Sequence, residues 1–213
     1  MSELKLVVGD KNLSSWSMRA YLAARLAGLP FDEVVILLDR PDTAQRIAAH
    51  APAGRVPVLH DGTLRVWDSL AIVEYLAEKV PALWPADAAA RAMARSACAE
   101  MHSGFADMRS VMTMNVTARR PLADVPPAVA KDTARVQALW RECRGAHGRG
   151  GPFLFGAFSA ADCYFAPVVT RFVTYATPVE NDTRAYMDAV LAHPVVAAWV
   201  TEARAEVEGR GEA

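Results

Sequence analysis

The chain has 213 residues, 53% of them hydrophobic and 22% charged, with a formal net charge of −1. That length holds one large domain or two small ones, and the apolar content supports a packed core. The near-zero charge excludes non-specific polyanion binding, so no nucleic-acid partner is expected.

Cys98, Cys143 and Cys163 are too few and too scattered for a disulfide framework, and they suit a reducing compartment. Near the N-terminus the apolar run Leu4 to Val8 is shorter than a secretory signal needs, and no window reaches the length of a membrane span. A soluble cytoplasmic protein with no membrane partner is the expectation.

Leu4 to Val8 reads as a buried strand, broken from Gly9 to Asn12. From Ser15 the spacing of Met18, Leu22 and Leu26 predicts a helix that stops at Gly28 and Pro30. Phe31 to Leu37 is a second strand, and Asp42 to His50 a short helix. Val56 to His60 and Leu64 to Trp67 form a hairpin around Asp61-Gly62. Leu70, Val73, Leu76 and Val80 mark a helical face. The order β-α-β-(α)-β-β-α describes a small α/β domain with a parallel pair and an antiparallel edge.

Pro81 to Asp87 carries two prolines and reads as a linker. Beyond it the chain is Ala-rich and helical. Met93, Ala97, Met101, Phe105, Met108 and Met112 predict one stripe of a long helix. Pro121, Pro126 and Pro127 interrupt before a helix marked by Val129, Val136, Leu139, Trp140 and Cys143. A loop from Gly148 to Pro152 ends it. Another helix opens at Ser159, and a last one runs from Pro194 to about Val207, with Glu208 to Ala213 expected to fray.

Four motifs fall in order along this frame. Ser14-Ser15-Trp16-Ser17-Met18-Arg19 joins the first strand to the first helix. Gly54-Arg55-Val56-Pro57-Val58-Leu59 leads into the hairpin. Trp67-Asp68-Ser69-Leu70-Ala71-Ile72 opens the helix after it. Ser159-Ala160-Ala161-Asp162 follows Phe153-Leu154-Phe155-Gly156. The last is a capping box with a structural role: the serine caps the helix amides while the aspartate reaches back.

Together, over nearly the whole length, these motifs resemble the cytosolic glutathione transferases, and the first is similar to the zeta-class pattern S-S-C-x-x-R. The resemblance implies a thioredoxin-like α/β N-terminal domain at residues 1–80, a linker at 81–87, and an all-α helical C-terminal domain at 88–213. It also implies glutathione as co-substrate, no metal, a small electrophile as second substrate, and a homodimer. A serine hydroxyl at the N-terminus of the first helix would donate to the glutathione thiolate. A hundredfold rise in the thiolate-to-thiol ratio asks for about 3 kcal/mol, which that hydroxyl and the helix end can jointly supply.

Zeta-like alignment favours Ser14 as donor, whereas counting back from Arg19 as in other serine-type classes favours Ser15; Ser14 is preferred here. Arg55, Val56 and Pro57 would bind glutathione, the Val56 backbone pairing with its cysteinyl unit beside a cis Val56-Pro57 bond. Ser69 and neighbouring N–H groups would receive the γ-glutamyl carboxylate, and Asp68 the ammonium.

Leu13, Trp16, Met101, His102, Phe105 and Arg109 are the candidates for the second-substrate pocket. His102, Arg109 and Arg171 are candidates for an anionic group on that substrate. A Met or aromatic stripe also serves as core, and Met101 and Phe105 fit that role too.

Competing readings rest on fewer residues. With no C-x-x-C in the chain, dithiol redox chemistry is not expected. Cys98 and His102, four apart, are too few for a metal site. The Gly148 to Gly151 loop lacks Walker spacing. A glutathione-dependent cis-trans isomerase is an alternative, although Trp16 stands where the zeta pattern has cysteine. A non-catalytic binding module on the same fold is the other.

Overall fold

A computed structural model describes residues 4–210. Strand β1 (Leu4–Gly9) lies at the centre of a four-stranded sheet. It pairs in parallel with β2 (Phe31–Ile36) and antiparallel with β3 (Val58–Asp61), which pairs antiparallel with β4 (Leu64–Trp67). The order is β2-β1-β3-β4. Alternation along β1 sends Leu6 and Val8 to one face and Val7 to the other. Helices α1 (Ser15–Ala27) and α3 (Ser69–Lys79) cover the first face with Met18, Leu22, Ile72, Val73 and Leu76. The short helix α2 (Thr43–Ala48) closes the second, where Val7, Ile36, Ile47, Ala51 and Val58 form a smaller cluster. Helix α1 ends on Gly28, whose φ of 68° is the left-handed stop expected of a C-terminal glycine.

Against an expected start at Val56, the third strand begins at Val58, because Pro57 has no N–H for the ladder. The Val56-Pro57 bond is cis. The expected linker contains a single 3-10 turn, Pro81–Leu83, and buries Leu83 and Trp84 against the core.

Six helices follow: α4 (Ala88–Ser103), α5 (Ala106–Val111), α6 (Pro127–His147), α7 (Ala160–Thr174), α8 (Asn181–Ala192) and α9 (Pro194–Gly209). The stripe from Met93 to Met112 is therefore two helices. The chain breaks at Gly104, where a Cβ would sit 2.8 Å from the Glu100 carbonyl oxygen, and Phe105 turns left-handed at φ 57°. Met101, Phe105, Met108 and Met112 are still buried in one cluster, so the apolar period survives the break.

Helix α8 has no counterpart among the expected elements, although Thr183, Tyr186, Met187 and Val190 bury one face at helical spacing. Helix α9 extends to Gly209, past the expected fraying point, and residues 211–213 lie outside the described residues. At the centre, α7 buries nearly its whole surface and packs on α1, so one hydrophobic core runs from the sheet through both halves of the chain.

Candidate active site

A cleft of about 610 Å³ opens where the N-termini of α1 and α3, the loop before β3, and helices α4 and α5 converge. Its lining is Trp16, Ala53, Arg55, Val56, Pro57, Trp67, Asp68, Ser69, His102 and Arg109. Eight of these are site residues expected from the sequence; Ala53 and Trp67 are the additions. Of the other candidates, Ser14 and Ser15 sit directly before Trp16, 7% and 8% exposed, while Met101 and Phe105 belong to the core beneath. Leu13 donates its backbone N–H to Asp10 Oδ1 at 3.0 Å, in the loop ahead of the serines.

The serines differ in their surroundings. Ser14 is the N-cap residue of α1, and its side chain makes no capping bond. Its Oγ donates to Ser17 Oγ at 2.7 Å, and Ser17 Oγ accepts the Gly9 N–H at 2.9 Å. Ser15 Oγ instead accepts from Arg171 Nη2 at 3.2 Å, and the Ser15 carbonyl accepts from Arg19 Nη1 at 3.1 Å.

Arg19 and Arg171 are both buried. Burial first, and then neighbouring guanidinium charge, lowers the Arg171 pKa to about 9; burial likewise lowers that of Arg19 to about 10. Trp16 gathers this charge: the Arg19 and Arg109 guanidinium carbons lie 4.4 and 5.4 Å from its ring centroid, and the His102 ring meets it edge-on at 5.4 Å.

At the opposite wall, Asp68 adopts φ 74° and caps α3, its Oδ1 accepting from Leu70 N–H at 2.8 Å and Ala71 N–H at 3.3 Å. Its Oδ2 is 3.3 Å from His102 Nε2. His102 Nδ1 is 2.6 Å from Tyr164 Oη, which lies 3.1 Å from Ser69 Oγ. Burial pushes the Tyr164 phenol up to about 12, so it stays a neutral hydroxyl at physiological pH. Tyr164 is not among the residues the sequence motifs mark. Its helix is legible, but its partners lie 62 and 95 residues away along the chain.

The loop ahead of the serines is held by the C-terminal half. Lys11 pairs with Glu33 at 2.7 Å and with Glu202, its backbone N–H donates to Glu206 at 2.8 Å, and its carbonyl accepts from Trp199 Nε1 at 2.9 Å. Asn12 Oδ1 accepts the Thr117 N–H. Among the described residues no group of three or more His, Cys, Asp or Glu side chains is placed to hold a metal ion. Cys98, the sequence's thiol candidate for such a site, is fully buried, and burial raises its pKa.

An α/β domain with a cis-proline loop, a helical domain packed on it, and a cleft between helix N-termini together define a glutathione-transferase-like architecture. Comparison with known proteins agrees. Residues 13–79 match the family model for the glutathione S-transferase N-terminal domain, and residues 126–202 that for the C-terminal domain. Glutathione S-transferase Z1 of Arabidopsis thaliana is 27% identical over 185 residues, covering 81% of each chain. The zeta-class enzyme of Euphorbia esula is 28% identical over 170 residues, covering 76% of this chain and 73% of the relative. Among solved structures, a Burkholderia glutathione transferase homolog with bound glutathione superposes with TM-score 0.71 at 25% identity, over 95% of this chain and 98% of that one. A theta-class enzyme from Xanthomonas axonopodis with glutathione bound gives 0.68 at 25% identity, over 94% and 98%. The chain belongs to the cytosolic glutathione S-transferase superfamily, and its function is that of a glutathione S-transferase.

Proposed function

We propose that this chain is a serine-type glutathione transferase in which Ser14 stabilises the thiolate. What carries the reading is convergence: the α1 N-terminus, the Val56-Pro57 backbone and the Asp68-Ser69 pair all face one cleft. Glutathione lies along that wall. Its cysteinyl unit pairs with the Val56 backbone, Arg55 flanks it, and its γ-glutamyl carboxylate meets Ser69 and the first amides of α3. The γ-glutamyl ammonium meets Asp68, whose Oδ2 is turned from the capping bonds.

Ser14 is poised by Ser17. When the Ser14 hydroxyl turns to donate to sulfur, its oxygen accepts from the Ser17 hydroxyl, and Ser17 goes on accepting from Gly9 N–H. Ser15, held by Arg171, anchors the helix start. The electrophile enters beside Trp16, His102 and Arg109, where the positive charge suits an anionic group on the substrate. Ser14→Ala should lower kcat/KM with a chromogenic electrophile at least tenfold, about 1.4 kcal/mol, and Ser15→Ala less. If neither serine matters by that factor, the serine assignment fails.

A second reading, glutathione-dependent cis-trans isomerisation, draws on the likeness to zeta-class relatives. Here the thiolate adds to a double bond, the bond rotates, and glutathione leaves unchanged. Incubation with a cis-dienoate and glutathione tests it, and unchanged substrate rejects it. The proposal includes a cytoplasmic homodimer, as the family resemblance implies; light scattering at micromolar protein checks the assembly.

A further inference from the structure

Resting on that reading, the geometry points to His102 and Tyr164 as positioning residues for glutathione's γ-glutamyl end, supplied by the helical domain to side chains of the α/β domain. Asp68 and Ser69 are adjacent in sequence, yet a chain of contacts through two other helices also joins them. Asp68 Oδ2 meets His102 Nε2 of α4 at 3.3 Å, His102 Nδ1 meets Tyr164 Oη of α7 at 2.6 Å, and Tyr164 Oη meets Ser69 Oγ at 3.1 Å. The loop closes around the N-terminus of α3, where a carboxylate and an ammonium would both be read.

The chemistry of each contact assigns a role. Ser69 has one proton, and a ligand carboxylate needs it. With that proton pointed at the ligand, Ser69 Oγ accepts from the Tyr164 hydroxyl, and Tyr164 Oη accepts from His102 Nδ1–H. His102 Nε2–H then donates to Asp68, completing the run when the imidazole is protonated. Tyr164 thus aims the hydroxyl that binds the carboxylate, and His102 restrains the carboxylate that binds the ammonium. Neither residue needs to touch the ligand. Tyr164 is fully buried and its backbone carbonyl accepts from Arg19 Nε at 2.9 Å, so the phenol is fixed at its base. His102 is fixed by its edge contact with Trp16. Glutathione recognition by the α/β domain therefore depends on how α4 and α7 are seated.

Ligands lacking one group at a time separate this from general damage to the fold. Affinities of wild type, Tyr164→Phe and His102→Ala are measured by calorimetry for three tripeptides: glutathione, its analogue without the γ-glutamyl α-carboxylate (4-aminobutyryl-Cys-Gly), and its analogue without the amino group (glutaryl-Cys-Gly). Tyr164→Phe should weaken glutathione about tenfold, the upper scale of a hydrogen bond between neutral groups. It should leave the decarboxylated analogue within about twofold of its wild-type affinity. His102→Ala should show the same pattern with the deaminated analogue, and His102→Gln, which keeps an N–H for Asp68, should recover part of the loss.

Equal losses for all three ligands, or no loss for glutathione, would overturn the positioning roles while leaving glutathione binding intact. Failure of the wild-type protein to bind any of the three at millimolar concentration would reject the transferase reading itself, and these roles with it.

Discussion

Gly9 shows how much of the site is decided by a single missing atom. A Cβ at this position would lie 2.8 Å from both Cβ and Oγ of Ser14, and its own N–H is the donor that orients Ser17. Gly9→Ala therefore pushes on the one side chain proposed to face the sulfur. The expected outcome is a kcat/KM loss of at least tenfold, about 1.4 kcal/mol, while glutathione affinity, proposed to rest mostly on the opposite wall, changes much less. Steady-state kinetics with calorimetry separates the two, and full activity in the Gly9→Ala variant would show that Ser14 has room to spare. At this scale the sequence is informative about residue types and poor about their partners. The Ser14-Ser15 pair marks a helix start by local rules. What distinguishes the two hydroxyls is that one touches Ser17, three residues on, and the other touches Arg171, 156 residues on. No local pattern encodes the second contact.

Among the elements, α7 depends most on one side chain. Asp162 is fully buried and accepts Leu154 N–H at 3.1 Å, Ser159 N–H at 2.9 Å and the Ser159 hydroxyl at 3.1 Å, closing the capping box foreseen from the motif. Burial pushes its pKa up to about 6 against the ordinary 3.8, with those hydrogen bonds opposing. Because the folded-state value is the higher one, the folded protein keeps a proton that the unfolded chain releases. The resulting contribution to stability is complete below about pH 4 and is lost as pH rises through about 6. Urea unfolding across that window should show midpoints falling with rising pH. In Asp162→Asn the slope contributed by this group should vanish. That variant should also be less stable by about 2 kcal/mol near neutrality, because an amide NH₂ replaces one of two acceptors facing three donors. Elements are legible where side-chain period and stop signals coincide, as in α1 and α3. Legibility fails at Gly104, where an unbroken apolar period masks a backbone break, and at α8, whose buried face includes Thr183 and carries few strongly apolar residues.

For the whole molecule the issue is whether the two halves are thermodynamically separate. The resemblance draws a boundary near residue 80, and buried side chains from both sides of it pack together. The core cluster includes Leu6 and Leu22 from one half and Met101, Tyr164 and Trp199 from the other. Arg19 of α1 bonds the Tyr164 carbonyl, and the loop carrying Ser14 is held by α9. Lys11 concentrates that hold. Burial alone would lower its pKa, but Glu202 and Glu33 outweigh it and raise the value, so the ammonium stays charged between an N-terminal and a C-terminal carboxylate. Lys11 is buried, but Glu202 is 41% exposed and Glu33 partly so, and water screens what the lost ammonium leaves behind, so removing it costs about 1 kcal/mol. Fluorescence and circular dichroism should therefore report one coincident urea transition in the wild-type protein, as a shared core requires. Lys11→Met should shift that transition to lower urea and depress kcat/KM together, because the same side chain anchors both α9 and the loop that carries Ser14. Two resolved transitions in the wild type would show that the α/β half folds on its own. The placing of Ser14 would then have to come from its own domain, with the α9 contacts an accessory to it.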